Sequence, residues 1–242
     1  MVLIDFTNKT IIVTGGTNGI GKEIAIKFAE LGGNLIITGT SSSKPKDIPK
    51  NISYHQLNLL DDYSVDNFLE QLRHLPQIDI LINNAGINAI NELDMIDINE
   101  HDEVIKVNLN GPFIISKKLV NQMKSSGGKI VNIGSIWSAI SKKGRLSYIT
   151  SKAALAGLTR GLSVDLAEDN ILVNTVSPGF TLTDLTKRSL SKEEIIKITD
   201  TIPMKRMAET SEIANVVIFL ASDLNTYLTG QNIFVDGGFI NV

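Results

Sequence analysis

Residues 14–28 read TGGTNGIGKEIAIKF, with Gly15, Gly19 and Gly21 set about a tight turn and apolar residues at helical spacing after it. Just before the turn lies KTIIVT (9–14), a short β-branched run of the kind that forms a strand. Glycines between a strand and a helix let the backbone approach a ligand closely. The helix amino terminus then offers N–H groups and the positive end of its dipole to an anion. A plain β-to-α turn would seldom need three glycines at these offsets, so the stretch reads as a pyrophosphate cradle opening an α/β chain.

Similar apolar runs recur along the chain: NLIIT (34–38), SYHQLNL (53–59), IDILIN (78–83), KIVNIGS (129–135), ILVNTVS (171–177) and NIFVDGG (232–238). Most are continuous instead of alternating, as expected for strands buried on both faces of a parallel sheet. Helical patterns lie between them. Ile20, Ile24, Phe28 and Leu31 share one stripe, and Ile149, Ala153, Gly157 and Gly161 form another whose small residues permit close packing. The alternation predicts an α/β fold: a doubly wound parallel sheet of about seven strands with helices on both faces, Rossmann-like, in a single domain over residues 1–242. TSSSKPKDIPKN (40–51) reads as a surface loop after the second strand. Residues 181–203 are polar, with a short helix expected at SKEEIIKITD (191–200), and read either as a substrate lid or as a solvated helical insertion.

Composition narrows the partners. A formal net charge of −3 over 242 residues leaves no basic footprint for nucleic acid or an anionic membrane, so a small molecule is the expected partner. The chain has no cysteine, which excludes disulfides and thiolate chemistry, and its three histidines lack metal-like spacing, so no metal site is expected. No run of about 18 apolar residues is present and MVLIDFTNKT lacks the pattern of a signal peptide, so a cytoplasmic protein is expected.

In LSYITSKAALAGLTRGL (146–162), Tyr148 and Lys152 stand four apart, on one face of a helix. A free tyrosine titrates near ~10 and is a poor base at neutral pH. An ammonium beside the phenolate favours ionisation, as would a positively charged nicotinamide. The spacing alone is equally that of a surface tyrosine beside a solvated lysine. Other marks bear on the choice: NNAG (83–86) after the fourth strand, Asn108 in KVNLNG, Ser135 closing the fifth strand in IGS, and SPG (177–179) ending the sixth.

Together with TGxxxGIG, whose first two glycines are separated by Gly16, Thr17 and Asn18, this ordered set resembles the short-chain dehydrogenase/reductase family from Thr10 to Phe239. The resemblance implies an oxidoreductase that interconverts a carbonyl and a secondary alcohol. Tyr148 would be the general acid/base, and Lys152 would lower its pKa and hold the nicotinamide ribose. Ser135 would hydrogen-bond the reacting oxygen, and Asn108 would hold a water that passes protons toward Lys152. It implies cofactor contacts from Gly15, Thr17, Asn18, Gly19, Ile20 and Gly21, from Asn58 and Leu59 near the adenine, and from Asn84, Ala85 and Gly86. Tyr148 and Lys152 would touch the cofactor as well, and Pro178, Gly179, Thr181 and Thr183 would frame the nicotinamide amide. Asn58, Asn83 and the proline–glycine pair also have plain readings as turn or strand-end residues.

Where the family would place an acid for the ribose 2′-hydroxyl of NAD, this chain has Gly39, followed by Thr40, Ser41, Ser42 and Lys44, which can donate to a 2′-phosphate. That favours NADP over NAD. Asn18, standing where many NADP-dependent relatives carry a basic residue, argues the other way. The substrate wall is expected from Asn88, Ser135, Ile136, Trp137, Tyr148 and the loop ISKKGR (140–145); Trp137 either bounds the pocket or packs beneath the lid. Lys142, Lys143 and Arg145 read as a solvated loop, with anion binding the alternative.

The nearest subgroup in appearance is the 3-oxoacyl-carrier-protein reductases, which suggests a 3-oxoacyl thioester. Glu168, Asp169 and Asn170 stand where those reductases often carry an arginine that docks the acidic carrier protein, so a keto sugar, polyol or other hydroxy compound stays open. A non-catalytic dinucleotide-binding module is the other reading kept, although it would be expected to lose one of the four catalytic positions. The resemblance also implies a homo-oligomer, a tetramer or dimer, built on the helices carrying Asn108 and Tyr148 and on the C-terminal strand; core packing is the alternative account of the small-residue stripe.

Overall fold

In the computed structural model, which describes residues 4–242 apart from the side chains of Leu185 and Ser189, seven strands form one wholly parallel sheet. These are β1 (Thr10–Val13), β2 (Asn34–Gly39), β3 (Ser53–Gln56), β4 (Ile80–Asn83), β5 (Gly128–Ile133), β6 (Ile171–Pro178) and β7 (Asn232–Val235), in the order β3-β2-β1-β4-β5-β6-β7. The expected doubly wound fold is thus borne out. The chain works outward in one direction from β1 to β3 and in the other from β4 to β7. The loops after β1 and β4 therefore meet at the point where such sheets bind ligands.

Alternate residues of the strands feed two cores. Ile11, Val13, Ile37 and Ile82 pack against α1 (Gly19–Glu30) and α8 (Thr210–Ala221). Ile12, Ile36, Leu81 and Ile130 face α2 (Asp62–Leu72) and α4 (Gly111–Leu119) on the other side, where α5 (Leu146–Asp165) packs on β6. All four residues expected on the first helical stripe behave so: Ile24 and Phe28 are fully buried, and Ile20 and Leu31 pack partly on the same core. Ala153 and Gly161 on the α5 stripe are exposed instead, with no described atom within 4 Å of a Cβ at Gly161. That stripe faces outward, so core packing does not account for it.

Three details differ from expectation. α3 (Ile98–Ile105) runs into α4 through a π-helical turn, Lys106–Asn110, which carries Asn108. The cause is local: Pro112 has no N–H to give the Asn108 carbonyl in α-helical register. Residues 181–203 hold two helices where one was expected, α6 (Asp184–Ser189) and α7 (Lys192–Thr201); Ser191 and Glu194 close a capping box at the start of α7. Several strands are also shorter than the apolar runs that announced them; β3, for example, ends at Gln56 and leaves Leu57 and Leu59 to the core.

One row of buried polar groups crosses the sheet. Asn83 donates to Asn132 Oδ1 (2.9 Å) and to Ser116 on α4 (3.2 Å), Asn132 donates to the Thr159 hydroxyl on α5 (2.8 Å), and Thr159 meets Thr175 at 2.7 Å. No described buried side-chain nitrogen or oxygen lacks a partner. Replacing Asn132 by Leu keeps the bulk but orphans an N–H of Asn83. Chemical denaturation is expected to show a loss of about 1–3 kcal/mol.

Candidate active site

The turn after β1 is held by the loop after β4. The Thr14 hydroxyl accepts from the backbone N–H of both Asn84 (3.0 Å) and Ala85 (3.1 Å), and the Asn84 amide donates to the carbonyls of Thr14 (3.0 Å) and Gly15 (2.9 Å). The loops touch so closely that a Cβ on Gly15 would lie 2.9 Å from the Ala85 Cα, and one on Gly21 would run into the Gly15 carbonyl and the Asn84 amide. Gly15 and Gly19 also have φ of +65° and +53°. Asn18 precedes α1, its side chain is exposed and caps no amide among the described residues, and the first turn of α1 has no acidic residue. A helix start with free amides, a positive dipole end and no competing carboxylate fits a dinucleotide's pyrophosphate.

Around this turn the remaining predicted contacts take distinct positions. Thr17 packs over Gly39, where a Cβ would meet its methyl at 2.8 Å and the Tyr54 hydroxyl at 3.2 Å. A side chain at residue 39 would have to displace Thr17. Thr40 and Ser41 are exposed beyond it, with the Ser41 carbonyl held by Tyr54 and the Thr40 carbonyl by Gln56 (2.9 Å). Lys44 does not face a phosphate: its ammonium donates to the Pro49 carbonyl (2.6 Å) and to Ile52, because a loop turning this sharply leaves carbonyls that need a donor.

Asn58 is a turn residue whose Oδ1 accepts from Leu60 N–H (3.1 Å). The Leu59 side chain lies in the core, packed where Gly111 lacks a Cβ, so it leaves only backbone for an adenine. Thr183 caps α6 and lies 3.5 Å from a Cβ at Gly19, across the mouth of the glycine turn; the Thr181 hydroxyl is turned back to Gly179 O (3.1 Å). Gly179, just after Pro178, lets the Asp236 backbone approach to 2.7 Å of where a Cβ would sit.

At the carboxyl end of the sheet the four proposed catalytic residues converge. Lys152 is buried and donates to the Ile133 carbonyl (2.8 Å), its ammonium 5.6 Å from the centre of the Tyr148 ring and 3.5 Å from a Cβ at Gly86. Ser135 begins a short 3-10 turn, Ile136–Ser138, and its hydroxyl accepts the Trp137 N–H at 3.3 Å. Asn108 is fully buried, and its amide clasps Ile87 twice, to N and O at 2.8 Å each, while donating to Ser151 (3.0 Å). Its side chain thus braces the loop after Gly86. Ser151, which passes its own proton to the Tyr148 carbonyl (2.8 Å), and Thr14 were not singled out in the sequence; neither lies in a spacing pattern that marks it.

The expectation that Lys152 depresses the Tyr148 pKa is not what the electrostatics give. Burial pushes the phenol above its ordinary 10.0, and the neighbouring Ser135 hydroxyl and Arg145 charge only partly oppose it. Burial likewise lowers the Lys152 ammonium from 10.5 to about 8. Both shifts favour neutral side chains, because desolvation outweighs a lysine charge already shared with a carbonyl.

Asn88 is exposed at the mouth, with Ile87, Ile90, Leu93 and Met95 also exposed along the same loop. This loop is tied to residues 140–145 through Asn91 N–H to Gly144 O (3.0 Å) and a Glu92–Lys143 ion pair (2.9 Å), which commits Lys143 to that contact. Ile136 is buried, and so is Trp137, at 8% exposed, edge-on to Phe180 with ring centres 6.3 Å apart. Trp137 thus packs on Phe180, the residue before the 181–203 segment, while standing next to Ser135. Asp169 pairs with Lys124 (2.8 Å) at the end of α5 remote from Tyr148, so the acidic residues 168 and 169 do not adjoin the cleft of their own chain.

A Rossmann-like sheet with a glycine cradle beside a buried serine and lysine and a half-buried tyrosine defines the class: a nicotinamide-dinucleotide oxidoreductase. A family model described as enoyl-(acyl carrier protein) reductase matches residues 15–240. The chain is 40% identical to a 3-oxoacyl-[acyl-carrier-protein] reductase of Aquifex aeolicus, covering 97% of this chain and 98% of that protein. It is 42% identical to one of Buchnera aphidicola, with 95% and 96% covered. The solved structure of a gluconate 5-dehydrogenase from Burkholderia cenocepacia, in complex with NADP and tartrate, superposes with a TM-score of 0.91 at 26% identity, over 98% of this chain and 97% of that one. The chain belongs to the short-chain dehydrogenase/reductase family and is an NAD(P)-dependent oxidoreductase. No described helix is long and apolar enough to cross a membrane, and the described residues hold no cluster that could bind a metal.

Lys152→Met removes the cost of burying an ammonium. Below pH 8 the variant is expected to melt at or above the wild-type temperature. Between about 8 and 10.5 the unfolded wild type holds more protons than the folded form, so wild-type stability rises with pH and the gap should narrow. Thermal melts across this range check the sign.

Proposed function

We propose that this chain reduces 3-oxoacyl thioesters with NADPH, Tyr148 giving the proton to the carbonyl oxygen. The observation that carries the chemistry is the convergence of Ser135, Tyr148 and Lys152 beside Gly86 and the glycine turn. The Ser135 hydroxyl donates to the substrate oxygen and orients it toward the Tyr148 phenol. A phenol kept neutral by burial is in the form a proton donor needs. Lys152, titrating near 8, would hold the ribose of the bound cofactor and keep a proton available beside Tyr148. A water accepted by the Asn108 carbonyl, which Pro112 leaves without an α-helical donor, supplies Lys152 from solvent. Gly15, Thr17, Asn18, Gly19, Ile20 and Gly21 would hold the dinucleotide with Ala85 and Gly86, and Pro178 and Gly179 would back the nicotinamide. When bound, that cofactor supplies the hydride.

For the substrate, the support is the near-full-length similarity to 3-oxoacyl reductases and the apolar rim. Ile90, Leu93 and Met95 are 60%, 75% and 72% exposed beside Asn88, a surface suited to an acyl chain and costly to leave in water beside a polyol. For the cofactor, the support is Gly39 closed off by Thr17 and Tyr54, with Thr40 and Ser41 free to meet a 2′-phosphate. The Burkholderia relative was solved with NADP. Residues 1–242 are read as one working domain, with α6 and α7 as its lid, and a homo-oligomer, a tetramer or dimer in the cytoplasm, is the expected form. The outward small-residue stripe of α5 and the free edge of β7 are the surfaces for a second copy.

Tyr148→Phe is expected to bind NADPH as the wild type does while turnover of a β-keto thioester falls by about 10²–10⁴; near-normal turnover would overturn the proton-donor role. Kinetics with both cofactors should give a higher kcat/KM with NADPH than NADH, and a preference for NADH rejects the Thr40–Ser41 reading. A solution mass equal to one chain would remove the oligomer.

A further inference from the structure

The buried polar row does not stop at Thr175. In register it runs Asn83, Asn132, Thr175, Asn232, one residue on each of four neighbouring strands. Asn232 therefore stands on the edge strand on the same face as Thr175 and, two residues on, Ser177.

Its amide makes two contacts whose polarity is fixed by their ends. The Ser135 carbonyl can only accept, so the Ser138 hydroxyl donates to it (2.8 Å). That hydroxyl then accepts from Asn232 Nδ2 (3.0 Å), and Asn232 Oδ1 accepts from the Ser177 hydroxyl (2.6 Å). Ser177 is fully buried and its hydroxyl occupies the space that a side chain on Gly134 would fill. One amide thus joins the turn that carries Ser135 to the strand end that carries Pro178 and Gly179.

We propose that Asn232 is a positioning residue: by bridging Ser138 and Ser177 it sets the Ser135 hydroxyl against the wall formed by residues 178 and 179. This rests on the role given to Ser135 above. The Ser135 turn is only three residues long after its cap. Beyond its own 3-10 bonds and the Ser135–Tyr148 contact, the far end of the turn is braced through Ser138 to β7, as its near end is by Gly134 N–H to Val176 O (2.7 Å). A hydroxyl that must meet a reacting oxygen is sensitive to displacements of about 1 Å, which a rigid second layer of hydrogen bonds prevents.

The test is a double-mutant cycle on the full-length protein, with kcat for a β-keto thioester, NADPH affinity by nicotinamide fluorescence, and melting temperature read for each variant. Asn232→Ala is expected to lower kcat roughly tenfold with NADPH affinity retained, and Ser138→Ala to do the same. In a Ser135→Ala background neither change should lower kcat further, since the group they position is gone. Equal factors in both backgrounds, or an unchanged kcat in the single variants, overturn the proposal. Should Asn232→Ala fail to fold, Ser138→Ala alone completes the cycle without touching β7. The two readings fail separately: additive losses on an impaired Ser135→Ala enzyme reject only the positioning role, whereas a fully active Ser135→Ala enzyme rejects the role of Ser135 itself, and Asn232 with it.

Discussion

The hydrogen-bonded row from Asn83 through Asn132 to Thr159 and Thr175 is the constraint on which the site depends. A parallel sheet of β-branched residues buried on both faces is chemically uniform along each strand, and a slip of two residues would keep every apolar side chain inside. The polar row breaks that uniformity, because an amide moved out of register is left buried without a partner, at about 1–3 kcal/mol each. Thr159 brings α5 into the same row and so sets its height against the sheet. Lys152 lies seven residues earlier on α5, about two turns, and arrives opposite the Ile133 carbonyl, one residue beyond Asn132.

With the helix height set, burial shapes the electrostatics. The phenol is pushed up and the ammonium down to about 8, so the dry cleft disfavours a separated charge on either group. Such opposed shifts in contacting groups mark sites built for proton movement. Burying the Lys152 ammonium costs desolvation, as expected for a group proposed to serve the reaction and not the fold. The glycine turn follows the same logic on the backbone: Gly15 and Gly21 give up side chains so that the loops after β1 and β4 can touch, leaving helix-end amides facing outward.

The sheet, the cradle and the four converging residues were legible because each is announced locally: glycines at fixed offsets, apolar runs of strand length, a tyrosine and lysine one helical turn apart. What escaped notice depends on distant partners. Ser138 and Asn232 are 94 residues apart in sequence, and nothing local marks either. Lys44 looked free to meet a phosphate because its carbonyl partners are created only when the loop closes. The pKa of Tyr148 was misjudged in direction because spacing reveals a neighbouring charge but not how much water has been removed. The π-helical turn did have a signal, Pro112 four residues after Asn108.

Chemistry and substrate choice are separated in depth. Asn108, Ser135 and Lys152 are buried and tied into the core, so they can hardly change without disturbing the sheet. On the rim, Ile90, Leu93 and Met95 are exposed and the segment meets the neighbouring loop by one backbone hydrogen bond and one ion pair, so these side chains can vary at little cost to folding. The same architecture can therefore serve a gluconate dehydrogenase and 3-oxoacyl reductases alike. On this chain that free layer is isoleucine, leucine and methionine, an apolar surface that suits the acyl tail of the proposed thioester better than a polyhydroxy acid.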